Sequence, residues 1–340
     1  MIWNNSFLIY PSHFCFFMII WIGAMISVSS AHWLGVWLGM ELNLFGMIPL
    51  LIGKGQGQEI EAAIKYYFIQ SVGSCFIIIG LLLNNLCLSI FLMEKLFFMV
   101  GLVMKLGIVP FYFWVPSVME KVSWISCFLL CSIQKVSPLF LLINIFQMEN
   151  LFIVMGCLSS VVGGVGGFNQ SKLRSMLAYS SIGHGGWMVG GLMMSIGGAL
   201  SYFISYFFTC LIVFSILSVL GIFEYSQISK SLSAGNSTIF YLLSLGFLGM
   251  SGIPPFIMFF GKVIVISSFC TFFLGILMFL LGAIISMYYY FNVMMLWSIV
   301  KFNVLIFNEG KSSFGLLVLM SIMLISGLWV MLILSNGVFF

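Results

Sequence analysis

The sequence predicts an all-α polytopic membrane protein of eleven transmembrane helices, with almost nothing outside the bilayer. Three observations predict it. Of 340 residues, 62% are hydrophobic and only 6% are charged, where an ordinary soluble domain is about 25% charged. Apolar runs near the roughly 20 residues that one span needs recur along the whole chain. The basic residues between those runs fall almost entirely on alternate connections, the bias expected of membrane loops.

The runs follow one another with short polar joints. Phe7–Ser29 and Trp33–Ile52 come first, the second carrying Glu41 and Pro49 and ending at GKGQGQE. Ala62–Leu83 opens beside Glu61 and Lys65, whose i, i+4 spacing reads as a local helix pair without chemistry. Leu96–Val115 holds Lys105 and Pro110, and Trp124–Phe146 holds Lys135 and Pro138. Leu151–Phe168 contains Gly163, Gly164, Gly166 and Gly167. These could pass for a nucleotide loop, but no strand precedes them, so close helix packing is the expectation. Leu173–Met194 has His184 near its middle, and Leu200–Phe223 is apolar throughout. Ile239–Phe269 is 31 residues long, too long for one straight crossing, and carries Pro254, Pro255 and Lys262. Thr271–Trp297 and Phe314–Leu334 complete the set. Each run must satisfy its own backbone polar groups in lipid, so helix is the default. A barrel would need alternating strands about half as long.

Loop charge sets the orientation and the repeat. With eleven spans, the side shared by the amino terminus carries Lys54, Lys121, Lys172, Arg174, Lys230, Lys301 and Lys311, against Lys95 on the other. The amino terminus is therefore expected inside and the carboxyl terminus outside. The proline-interrupted fourth and ninth runs are the fourth members of two successive sets of five, residues 7–146 and 151–297. Five is odd, so the sets would cross in opposite senses. That makes two inverted five-helix repeats, each with a broken fourth helix, plus a final helix at 314–334. All belong to one membrane domain. Paired broken helices in matching positions are the pointer to a transporter's site.

Composition excludes several functions. All eight acids are Glu, which leaves little for divalent-cation sites or aspartate-based phosphoryl transfer. The net charge of +4 comes with no basic run, so nucleic-acid binding is not expected. Eight scattered cysteines show no zinc or iron–sulfur spacing and read as small packing residues. The opening MIWNNSFLIY has neither a basic n-region nor an Arg-rich presequence, so membrane entry is expected through the chain's own helices.

Four ionisable residues did not go to the loops: Glu41, Lys105, Lys135 and Lys262. Each costs about 2.5–3.5 kcal/mol if left at the centre of a span, so such groups are expected to pair, face water or do work. Proline deletes the helix bond to the carbonyl four residues back. Pro110 would thus free Leu106 beside Lys105, Pro138 would free Gln134 beside Lys135, and Pro254 and Pro255 would free Met250 and Ser251. Free carbonyls in a membrane belong where they line a cavity. Cations beside broken helices suggest a polar pathway. Desolvation disfavours a lysine's charge and a nearby carboxylate favours it, so a lysine held between the two can take or release a proton when its partner moves. His184 would suit proton relay, and a hydrogen-bonded structural histidine is the equal alternative. His13 and His32 read as interfacial.

Six segments in order, WLGMELNLFGMIPLL, EAAIKYYFIQSVGS, MKLGIVPFYFWVP, QKVSPL, LAYSSIGHGGWM and SGIPPFIMFFGK, resemble the antiporter-like membrane subunits of NADH–ubiquinone oxidoreductase (respiratory complex I), relatives of Mrp-type cation/proton antiporters. The likeness runs from about residue 30 to 265. It points to the mitochondrially encoded form, which lacks the first three of the family's fourteen helices. The resemblance implies a proton-translocating subunit of the mitochondrial inner membrane, with Glu41 and Lys105 as an acid–lysine switch. It implies Lys135 as the central lysine, Lys262 as that of the second broken helix, and His184 as a further relay. The resemblance also implies no cofactor in this chain. NADH, FMN, iron–sulfur clusters and ubiquinone would belong to partner subunits, and the partners would be other membrane-arm chains, neighbouring antiporter-like subunits among them, and lipids. Two alternatives stay open. One is a stand-alone secondary antiporter. The other is a structural subunit whose buried charges only fix assembly, with Glu41 and Lys105 a static pair.

Overall fold

In the computed structural model of the chain, the residues described are 11–53, 55–85, 91–144, 149–227, 237–254, 256–269 and 273–305. They form thirteen α-helices, a 3-10 turn at Tyr225–Gln227 and no strand. The helices are α1 (Pro11–Ser29), α2 (Trp33–Ile52), α3 (Gly57–Asn85), α4 (Phe91–Leu106), α5 (Trp114–Met119), α6 (Trp124–Cys131), α7 (Ile133–Asn144), α8 (Glu149–Phe168), α9 (Leu173–Met194), α10 (Ile196–Leu220), α11 (Ser237–Ser251), α12 (Ile257–Ser268) and α13 (Phe273–Leu305). Ten expected runs fall on these helices; the eleventh, Phe314–Leu334, lies outside the described residues. Among the described residues, seven stretches are long and apolar enough to cross a membrane: α1, α2, most of α3, α6 with α7, α8, α10 and most of α13.

Helix α9 is absent from those seven for a physical reason. Eighteen of its 22 residues are buried, and it packs against α5, α6, α7, α8, α10 and α12. A helix walled by protein need not be apolar for lipid, which lets α9 carry serines, glycines and His184. By contrast α1 buries only Ile20, Gly23, Ala24 and Ser27 and turns Phe14, Ile22 and Met25 outward.

Glycines set the tightest contacts, as expected of the 163–167 cluster. A Cβ on Gly163 would stand 2.5 Å from the amide nitrogen of Gly183, and one on Gly186 would stand 2.5 Å from the carbonyl of Gly156. Helices α8 and α9 thus meet backbone to backbone. Gly23 with Gly39 does the same for α1 and α2, and Gly73 with Gly101 for α3 and α4. Without a hydrophobic drive between helices in lipid, such close approach supplies the van der Waals contact that holds them.

Three interruptions shape the interior. Helix α4 ends at Gly107, φ 67°, with Ile108 N–H donating to the Val103 carbonyl and Gly107 N–H to that of Met104, both at 3.3 Å. This is a glycine-closed helix end. It corrects the expectation that Pro110 frees a bond inside a continuing helix: the helix has already stopped, and proline only bars its resumption. In the ninth run the break falls as expected between α11 and α12, with Gly252 at φ 72°. The third break is at Ser132, between α6 and α7, where no interruption was expected. Pro138 sits inside α7 instead. The Ser132 hydroxyl donates to the Phe128 carbonyl at 2.6 Å, the back-bonding by which serine bends helices.

Candidate functional site

Each break delivers a lysine to the interior. Lys105 lies at the last turn of α4, one residue from the stop, and its side chain is 5% exposed. Its Nζ stands 3.7 Å from Glu41 Oε1 of α2, an ion pair longer than the roughly 2.7–2.9 Å of a charge-assisted hydrogen bond. The carbonyls near the α4 stop are answered from elsewhere. The Trp114 indole donates to that of Met104 at 3.1 Å, and the Gln70 amide to that of Lys105 at 3.4 Å.

Beside this pair lies a small polar cavity with room for about one water molecule, bounded by Lys105, Asn43, Tyr66, Gln70, Gln134 and Ser137. The Tyr66 hydroxyl donates to Gln134 Oε1 at 3.1 Å, and Gln134 Nε2 donates to Asn43 Oδ1 at 2.9 Å. The Ser27 hydroxyl donates to that of Ser137 at 2.7 Å. The side chains of these six neutral residues go beyond the sequence reading, which named Gln134 only for its carbonyl.

Lys135 follows Gln134 directly yet faces the other way. Its Nζ donates to the Ser181 carbonyl of α9 at 2.7 Å and lies 5.5 Å from the centre of the Tyr206 ring of α10. His184 also lies beside Tyr206, its ring centre 5.0 Å from that of the tyrosine and its Nδ1 2.8 Å from the Tyr202 hydroxyl. The hydrogen bond fits the structural alternative for His184, and its place fits the relay.

Lys262 on α12 donates to the Ser251 carbonyl at 2.8 Å, the carbonyl at the end of α11. Gly252 is required there. Its φ is positive, and a Cβ would lie 2.7 Å from Lys262 Nζ. His184 and Lys262 both line a second water-sized polar cavity, together with Ser160, Ser180, Ser286 and Tyr289. Neither Lys135 nor Lys262 has an ionic partner among the described residues. Each spends one of its three donors on a carbonyl, which leaves two for water or a passing proton carrier.

The structure places all five expected residues in the interior, in two groups. Glu41 and Lys105 meet beside the first cavity. Lys135 and His184 both lie beside Tyr206, and His184 shares the second cavity with Lys262. Other charges stay out of both groups. Glu61 bonds Lys65 and Lys121, each at 2.6 Å, and Lys172 bonds Glu120, all partly or fully exposed. Arg174 donates to the Val122 carbonyl at 2.6 Å. Exposed pairs contribute little, so Lys121→Ala is expected to leave proton transfer unchanged in a vesicle pumping assay. Among the described residues, no three histidine, cysteine or acidic side chains gather as metal ligands.

Residues 30–278 match the family described as NADH:quinone oxidoreductase/Mrp antiporter, TM. A protein of Lumbricus terrestris named NADH-ubiquinone oxidoreductase chain 2 is 35% identical over 276 residues, covering 79% of this chain and 82% of that one. A chain of respiratory complex I from Thermus thermophilus, solved with bound aureothin, superposes with a TM-score of 0.82 at 19% identity, over 97% of this chain and 79% of that one. A chain of the Mrp complex from Dietzia sp. DQ12-45-1b gives 0.70 at 14% identity, over 82% and 59%. At those identities the two structures speak for the fold alone.

Proposed function

The chain belongs to the NADH:quinone oxidoreductase/Mrp antiporter transmembrane family, and from that premise we propose that it is a proton-translocating subunit in the membrane arm of respiratory complex I. It lies in the mitochondrial inner membrane with its amino terminus in the matrix. It crosses the membrane eleven times, with Phe314–Leu334 as the last span and two inverted five-helix repeats before it. Flavin, iron–sulfur and quinone chemistry belongs to partner subunits, and its neighbours are other antiporter-like chains and lipid.

One observation carries this reading: three buried lysines and one acid, each lysine beside a helix interruption, lie in two interior polar groups that meet at the neighbouring residues Gln134 and Lys135. Intramembrane charge is functional by default. Lys262 releases its proton towards the outer side and, as the neutral amine, takes one from Lys135 beside Tyr206 and His184. The neutral Lys135 then accepts the proton that Lys105 gives up through the first cavity once the Glu41–Lys105 pair opens. Lys105 is recharged by a proton from the inner side, so one proton enters for each that leaves, and no covalent bond other than those to the proton is made or broken.

The first test is co-migration. Mildly solubilised native membranes, run on a native gel, should show this chain with NADH dehydrogenase activity in one large assembly. A small species without that activity would remove complex I from the reading. Lys262→Ala then tests the path. The expected result is intact assembly with proton transfer through this subunit slowed roughly 10²–10⁴-fold, the range for loss of a positioned acid–base group. Unchanged protons per NADH in an assembled complex would end the role of Lys262.

A further inference from the structure

The proposed pathway has two halves that face different helices, and one side chain joins them. Gln134 and Lys135 are neighbours on the first turn of α7, directly after the break at Ser132. Their side chains part there. The Gln134 amide reaches α2 and α3, through Asn43 Oδ1 at 2.9 Å and the Tyr66 hydroxyl at 3.1 Å. The Lys135 ammonium reaches α9 through the Ser181 carbonyl at 2.7 Å. Asn43 is 2% exposed and Tyr66 1%, so neither has bulk water as a substitute partner.

Asn43 lies two residues beyond Glu41 on the same helix. A shift of α2 that lengthens the Glu41–Lys105 contact also moves Asn43 against Gln134. The turn that answers is a short one. Helix α6 ends at Cys131, Ser132 stands off helical geometry at φ −111°, ψ −78°, and the Lys135 amide bonds the Ser132 carbonyl at 3.1 Å. Load on Gln134 is thus delivered to the segment that seats Lys135. Gln134 also borders the same cavity as Lys105.

We propose that the Tyr66–Gln134–Asn43 bridge is the coupling element between the Glu41–Lys105 pair and Lys135, with Gln134 as a positioning residue. It moves no proton itself. Its amide holds α7 to α2 and α3, so that the state of the acid–lysine pair sets the placement of the Lys135 ammonium. This inference rests on the proton-path reading above.

The test compares Gln134→Leu, Gln134→Glu, Tyr66→Phe and Lys135→Ala in the assembled complex, reading protons translocated per NADH in sealed vesicles and NADH oxidation with an uncoupler present. Gln134→Leu is expected to lose as much pumping as Lys135→Ala while uncoupled oxidation stays within twofold of the parent. Gln134→Glu keeps an acceptor for Tyr66 and can take a bond from the Asn43 amide turned round, so it should recover more than half of that loss. Tyr66→Phe, which removes one hydroxyl, should fall between. If Gln134→Leu fails to assemble, the other two variants decide on the same readout. Pumping unchanged in Tyr66→Phe and Gln134→Leu while Lys135→Ala loses it overturns the bridge and leaves the pathway standing. A glutamate variant no better than leucine also overturns it. Unchanged pumping in Lys135→Ala overturns pathway and bridge together.

Discussion

Glu41→Leu is expected to destabilise the subunit more than the double replacement Glu41→Leu with Lys105→Met. The single change removes the carboxylate 3.7 Å from an ammonium that is 5% exposed and leaves a buried cation without its partner. Removing one member of a buried pair costs about 3–5 kcal/mol, whereas replacing both by apolar groups of similar volume is often neutral. The Glu41 side chain is 15% exposed, which places the expected cost near 3 kcal/mol, the low end of that range. Thermal dissociation of the purified complex, followed for both single variants and the double, closes the cycle. The expected order puts the double above Glu41→Leu, and the full cycle is expected to give a coupling of roughly 1–3 kcal/mol. Strict additivity would mean that the two residues do not act as a pair. On the proposed pathway pumping is expected to be lost in each of these variants, so stability and transport are read separately.

Gly163→Ala is expected to stop the subunit from accumulating at all. The three nearest atoms to a Cβ there are the Gly183 nitrogen at 2.5 Å, the Gly183 Cα at 2.7 Å and the Tyr179 carbonyl oxygen at 2.7 Å. All three are backbone, so no side chain can swing aside. Helix α9 cannot retreat either, being enclosed by other helices. Overpacking a filled interior costs about 1–3 kcal/mol and sometimes more, and a contact that only rigid backbone can relieve belongs at the upper end. Gly197→Ala is the control, because nothing lies within 4 Å of its Cβ position. Immunoblotting of native gels should show normal assembly for Gly197→Ala and none for Gly163→Ala. Equal levels would show that α8 and α9 separate more easily than their contact implies.

What could be read from the sequence was what acts locally. Hydropathy marks a span residue by residue, and a charge within one stands out against its neighbours. The runs at Trp33–Ile52 and Leu173–Met194 therefore coincide with helices, and Glu41, Lys105, Lys135 and Lys262 could be singled out. Prolines drew attention to the stops near 107 and 252, although at the first it is glycine that ends the helix. The break at Ser132 carries no proline or glycine. It depends on a hydroxyl bonding four residues back, an option that most serines in helices share. Tyr66, Asn43 and Gln134 could not be found in the same way. Neutral polar residues are ordinary in helices, and their meaning here comes from three helices meeting. The partners of Lys135 and Lys262 are main-chain carbonyls, which every residue has. One signal was present and unused: the seventh run is unusually rich in glycine and serine, which marks it as the helix least exposed to lipid.

That enclosed helix also constrains the energetics of transport. Ser181 of α9 holds Lys135, and one turn and a half further along Trp187 lies with its ring 5.9 Å beneath Lys262 Nζ. Both lysines thus lean on one helix. Any work that protonation of Lys135 performs on α9 is felt at Lys262, and thermodynamic linkage makes the effect mutual and equal in free energy. On the proposed pathway, proton occupancy at the two sites would therefore be a joint property. A titration of either lysine in the intact protein is expected to change when the other is replaced, and by the same amount in both directions.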